Sequence, residues 1–192
     1  MKYLGNYRDW IQPGLLDRIL STQGDPTLLN QPLTWRGNPN HEAWYKEFCS
    51  AGYDKRNFYS NMYNEKTEDI KDFTIVPPIP VEEGKNFNWW FIKFLPGSVA
   101  CMHYDPHTKI QKTAERYWMA MMDYHPGHLF VYEGGGMMKN YKAGDLWKFD
   151  NADLMHGVTN LSMIPRVTFQ FTTYYPNDIY IKPKFYIDHS LA

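Results

Sequence analysis

Past residue 85, apolar residues come in short runs, and each run is closed by turn chemistry. "NFNWWFIKFL" ends at Pro96-Gly97, "VACMHYD" at Pro106, "RYWMAMMDY" at "HPGH" and "HLFVYE" at Gly134-Gly135-Gly136. "MMKNYKAG", "DLWKFD", "MHGVTNL" and "RVTFQFTTYY" follow in close succession. Such runs, separated by Gly, Pro and Asn, predict about eight short strands in an antiparallel sandwich or barrel. Residues 1–75 carry a different period. "PGLLDRILST" and "HEAWYKEFCSAGY" put Leu15, Leu16, Ile19 and Leu20, and then Trp44, Tyr45 and Phe48, at helical spacing. Pro13 suits a helix start and Gly52 a stop. The segment between them, "GDPTLLNQPLTWRGNPN", reads as loop. Helices first and strands after predict an α+β chain whose β part is a jelly roll. The predicted layout is a single domain over 1–192. A helical and loop cover (1–85) packs on one sheet of the jelly-roll core (86–176), and a C-terminal extension (177–192) follows.

The bulk numbers narrow the classes. A chain of 192 residues suits one domain with a sizeable core, and 43% hydrophobic with 17% aromatic residues excludes disorder as a description of the whole. The net charge of −1 offers no electrostatic case for binding nucleic acid. No segment approaches the roughly 20 apolar residues of a membrane span, and the N-terminus has no signal-peptide core. Cys49 and Cys101 are too few for a disulfide scaffold and form no CxxC pair. A reducing, cytoplasmic setting is the expectation.

The chemistry concentrates at a few positions. In a strand, residues two apart project to one face, so His103 and Asp105 in "CMHYDPH" point together, at a strand end closed by Pro106. The best third partner is His156, at the start of a later strand. Two imidazoles and a carboxylate on one face of an Fe(II) ion leave its other positions open for substrate and oxygen. Ten residues beyond His156 comes Arg166, in "RVTFQFT". Alternation puts Arg166, Thr168 and Gln170 on one face and Val167, Phe169 and Phe171 on the other. A guanidinium beside a hydroxyl is a good anion anchor. Left unpaired in a core it would be very costly, so a protein carboxylate or a ligand is expected there.

His103-x-Asp105, His156 and Arg166 resemble the signature of the Fe(II)/2-oxoglutarate-dependent dioxygenases. "AGDLWKFDNADLMHGVTNLSMIPRVTF" resembles the aspartyl/asparaginyl β-hydroxylase-like branch, which includes free-proline hydroxylases. That branch has Gly-x-x-Trp/Phe-x-x-Asp, then His, Asn and Arg at this spacing. The resemblance covers about residues 86–175 and leaves 1–85 unmatched. Some members of the branch lack the carboxylate ligand, whereas this sequence keeps Asp105. The resemblance implies a double-stranded β-helix (jelly roll, cupin-like) core and iron held by His103, Asp105 and His156. It implies 2-oxoglutarate as co-substrate, chelating iron by its keto acid end and pairing its far carboxylate with Arg166 and Thr168. It further implies O₂-dependent hydroxylation of a C–H bond with release of succinate and CO₂. The expected substrate is an amino acid or a peptide or protein side chain, with neither membrane nor nucleic acid as a partner.

Other residues have two readings each. Arg116 either reaches a substrate carboxylate or is a surface charge. Asn160 either orients a ligand beside His156 or makes a strand-end hydrogen bond. His107 reads as rim, and His125 with His128 as a hairpin turn more than a second metal site. Trp89, Trp90, Trp118 and Trp147 read mostly as core, and Asp145, Asp150 and Asp153 as turn and cap residues. The alternative to an enzyme is a cupin-like binding protein, in which Arg166 pairs with a protein acid such as Glu115.

Overall fold

Strand alternation on both sides of one large sheet organises the molecule. In the computed structural model, which describes residues 1–24, 61–103 and 113–176, the strands are β1 (Lys2–Asn6), β2 (Asn61–Tyr63), β3 (Asn86–Phe94), β4 (Val99–His103), β5 (Glu115–Ala120), β6 (His128–Tyr132), β7 (Gly136–Met138), β8 (Asp145–Lys148), β9 (His156–Asn160) and β10 (Arg166–Tyr174). They form a six-stranded sheet, β1-β8-β5-β10-β3-β2, and a four-stranded sheet, β4-β9-β6-β7. All pairings are antiparallel. From β3 onward the chain crosses between the sheets so that β8-β5-β10-β3 faces β4-β9-β6-β7, which is a double-stranded β-helix.

The turns between strands are set by local chemistry. Gly127, in "HPGH", has φ +98°, and a Cβ there would meet the Ser162 nitrogen at 2.7 Å, so only glycine fits. Gly144, with φ +89°, would press a Cβ to 2.3 Å from the Arg8 nitrogen. That close approach lets β1 pair along β8. Neither β1 nor β2 was expected from the sequence, so the described parts of residues 1–85 add strands to the sheet as well as covering it.

The larger sheet buries side chains on both faces. Its outer face presents Phe91, Tyr117, Met119, Val167, Phe169 and Phe171, covered by Leu15 and Ile19 of helix α1 (Leu15–Ser21) and by Trp10. Trp10 lies 4.5 Å from Phe169, centroid to centroid. The inner face joins the smaller sheet around Phe94, Trp118, Ala120, Phe130, Phe149 and Val158. Thus the alternation read in "RVTFQFT" is realised, with Val167, Phe169 and Phe171 outward and Arg166, Thr168 and Gln170 inward, all of them buried. Helix α1 matches the "PGLLDRILST" prediction, while the second helix, the loop before it and the C-terminal extension lie outside the described residues.

Candidate functional site

The interior between the two sheets carries polar groups at both ends. Register on β10 orders them. Arg166 pairs with Phe94, Thr168 with Ile92 and Ala120, Gln170 with Trp90 and Trp118, and Thr172 with Asn88 and Arg116. Four residues of strand separate Arg166 from Gln170, about 13 Å at roughly 3.3 Å per residue.

At one end, His156 opens β9 and is buried. Its Nδ1–H donates to the Leu154 carbonyl at 2.8 Å. A carbonyl can only accept, so this contact places the proton on Nδ1 and the lone pair on Nε2. Nε2 lies 3.4 Å from Nη2 of Arg116. The ring stacks on Phe130 at 5.4 Å, which fixes its plane. The backbone of His103 is the direct cross-strand partner of His156, so β4 and β9 bring the two histidine positions together. Asp105 and His107 lie outside the described residues. Among the described residues no three His, Cys, Asp or Glu side chains form a cluster able to hold a metal.

Arg116 is not a surface charge. It is buried, donates to Gln170 Oε1 at 2.6 Å, and lies over the Phe149 ring at 4.6 Å. Its neighbour Glu115, one residue away and therefore on the other face of the sheet, is held by Lys85 and Lys148. Glu115 is thus not the partner of Arg166, which corrects the pairing expected for a binding protein.

At the other end, Arg166 is fully buried, lodged over Trp118 (5.6 Å), Phe94 and Phe130. Its Nε–H donates to the Tyr141 hydroxyl at 3.3 Å. Burial drives its pKa below the ordinary arginine value, and Tyr141 offsets part of that. Among the described residues its Nη1 and Nη2 have no hydrogen-bond partner, and nor do Thr168 Oγ1 and Trp118 Nε1. Buried donors are rarely left unmade. A group rich in acceptors would satisfy them, and a carboxylate presents about four lone-pair sites.

Asn160 follows its strand-end reading. Its amide donates to the carbonyls of Phe94 and Ile164, and its oxygen accepts from Ser162, which ties down the turn before Arg166. His125 belongs to the hairpin turn, with its Nδ1 on the Pro126 carbonyl, and His128 opens β6 after it. Sequence reading missed Tyr141 as a neighbour of Arg166, and it read Trp118 mostly as core. Position on the inner face of β5 was the available signal for Trp118. Tyr141 lies in a connection and gave none.

No family model and no curated protein sequence matches the chain. Solved structures with a similar arrangement include a sugar phosphate isomerase of the cupin superfamily from Silicibacter pomeroyi (17% identity, 47% of this chain and 52% of that one, TM-score 0.34). A prolyl-4-hydroxylase from Pseudomonas putida is 17% identical over 46% of this chain and 49% of that one, with a TM-score of 0.37. A DMSP lyase from Ruegeria pomeroyi is 14% identical over 59% and 46%, with a TM-score of 0.38. The chain spans about half the length of each. The three differ in chemistry, so function rests on the site alone.

Proposed function

We propose that this protein is an Fe(II)/2-oxoglutarate-dependent dioxygenase that hydroxylates an amino acid or a peptide or protein side chain. The carrying observation is the buried Arg166 guanidinium, whose two terminal nitrogens have no hydrogen-bond partner among the described residues, as is true of the Thr168 hydroxyl beside it. These donors fit one end of a dicarboxylate. At the other end of the interior the Leu154 carbonyl holds the His156 proton on Nδ1, so Nε2, which now faces Arg116, is the nitrogen that would bind a metal, opposite His103 in register.

On this reading His103, Asp105 and His156 hold the iron. With 2-oxoglutarate and O₂, that iron supplies the oxidation of a C–H bond, releasing succinate and CO₂. The protein's own part is binding and orientation. Arg166 takes the far carboxylate through its planar fork and Thr168 adds a hydrogen bond. Phe94, Trp118 and Phe130 keep water from the guanidinium, so each charge-assisted bond is stronger than it would be in solvent.

The test is thermal stability of wild type and Arg166→Ala, each with and without 2-oxoglutarate plus a redox-inert metal. Stabilisation of wild type that is missing in the variant is the expected result. No stabilisation of wild type by millimolar co-substrate overturns the reading. In turnover, measured as succinate across a panel of amino acids and peptides, Arg166→Lys raises the apparent KM for 2-oxoglutarate and Arg166→Ala raises it further. Loss of one charged anchor of about 2–4 kcal/mol corresponds to roughly 30-fold to 1000-fold.

A further inference from the structure

His128 opens β6 fully buried, on the inner face that it shares with Phe130. Its Nε2 lies 3.4 Å from the carbonyl of Ile164, two residues before Arg166. That carbonyl accepts only, so the ring's proton sits on Nε2 and Nδ1 carries a lone pair. Nδ1 has no partner. Among the described residues, the charged and titratable groups acting on the ring are Arg166 from β10 and His125 from the preceding turn. The cross-strand neighbour on β9 is the neutral Asn160. Burial above all, with the charges of Arg166 and His125, pushes His128 down to about 4 against the opposing Ile164 hydrogen bond. At neutral pH the imidazole is therefore uncharged.

An anion on Arg166 changes two of these conditions. It offsets the guanidinium charge felt at His128, and it brings acceptor oxygens to the same end of the interior. A lone pair on Nδ1 repels such an oxygen, whereas an N–H binds it. We propose that His128 takes up a proton from solvent when a carboxylate binds Arg166, and donates it from Nδ1 to that carboxylate. The inference rests on the reading of Arg166 as the anchor of 2-oxoglutarate. The pocket then binds an anion and a proton together, which makes it selective for anions at lower pH. By linkage, affinity falls by up to about tenfold per pH unit wherever uptake is complete.

The experiment is calorimetric titration of 2-oxoglutarate into the full chain loaded with Mn(II), without oxygen. Buffers of different ionisation enthalpy count the protons taken up. Wild type is expected to take up a substantial fraction of a proton per ligand at about pH 6, declining by about pH 8. His128→Asn is expected to bind with that uptake removed and with an affinity nearly flat over the range. Wild-type binding with no net uptake, or with uptake unchanged in His128→Asn, overturns this inference and leaves the dioxygenase reading standing. No binding of 2-oxoglutarate by wild type at any pH overturns both. Should His128→Asn fail to fold, the wild-type proton count and its pH dependence decide alone.

Discussion

Glu115 shows how far one residue's chemistry depends on the face it occupies. It sits at the start of β5 on the outer side of the large sheet, accepting hydrogen bonds from Lys85, Lys148, Tyr117 and Thr173. Partial burial works to raise its pKa, but Lys148 and Lys85 outweigh it and hold the carboxyl down at about 2. A carboxylate lowered on folding contributes stability above its unfolded value and loses it as pH falls toward the folded one. The loss should therefore run from about pH 4.5 to about pH 2. The site is partly exposed, so solvent screening limits the gain to roughly 1 kcal/mol. Melting curves of wild type and Glu115→Gln should be separated at neutral pH and converge in strong acid. A constant offset down to pH 2 would mean that the carboxylate's charge contributes nothing.

At the scale of elements, helix α1 is seven residues long, too short to be stable by itself. Packing of Leu15 and Ile19 on the sheet holds it, and so does a cap at its C-terminal end. The Lys93 ammonium, buried on β3, donates to the carbonyls of Ile19 (2.8 Å), Leu20 and Thr22. The Tyr63 hydroxyl donates to Ile19 and Thr22. A cation at a helix C-terminus also meets the negative end of the helix dipole. Lys93→Met keeps much of the apolar stem but leaves buried carbonyls short of donors. We expect a loss of about 2–3 kcal/mol, read as a lower urea midpoint. An unchanged midpoint would show that α1 is held by packing alone.

At the scale of the whole molecule, the large sheet needs cover on both faces. The inner face is closed by the smaller sheet, and the outer by residues 1–24 together with Ile70, Phe73, Ile75 and Ile79. That same segment supplies β1, which pairs with β8. Removing residues 1–24 would bare Phe91, Phe169 and Phe171 and turn β8 into an edge strand, an invitation to edge-to-edge association. The expected outcome is strong binding of a hydrophobic dye and concentration-dependent aggregation. A truncated chain that stays monodisperse and dye-free would show that the cover is dispensable. No helix among the described residues is long and apolar enough to cross a membrane.

The strands from β3 to β10 and the inward stripe of Arg166, Thr168 and Gln170 were legible in the sequence. Strand alternation and Gly/Pro turn chemistry are local properties, carried by a few neighbouring residues. Local alternation also set Glu115 opposite to Arg116 and so away from the interior. The short β1 and β2 were not legible, because strands of five and three residues at the sheet's flanks exist by pairing and carry little pattern of their own. Nor was the company that Arg166 keeps. Trp118, Phe130 and Tyr141 come from separate stretches of chain, and only the strand order β8-β5-β10-β3 against β4-β9-β6-β7 closes them around one guanidinium. The sequence determined which side chains face inward. The tertiary structure decided which of them meet, because cross-strand neighbours are chosen by packing of the two sheets and not by distance along the chain.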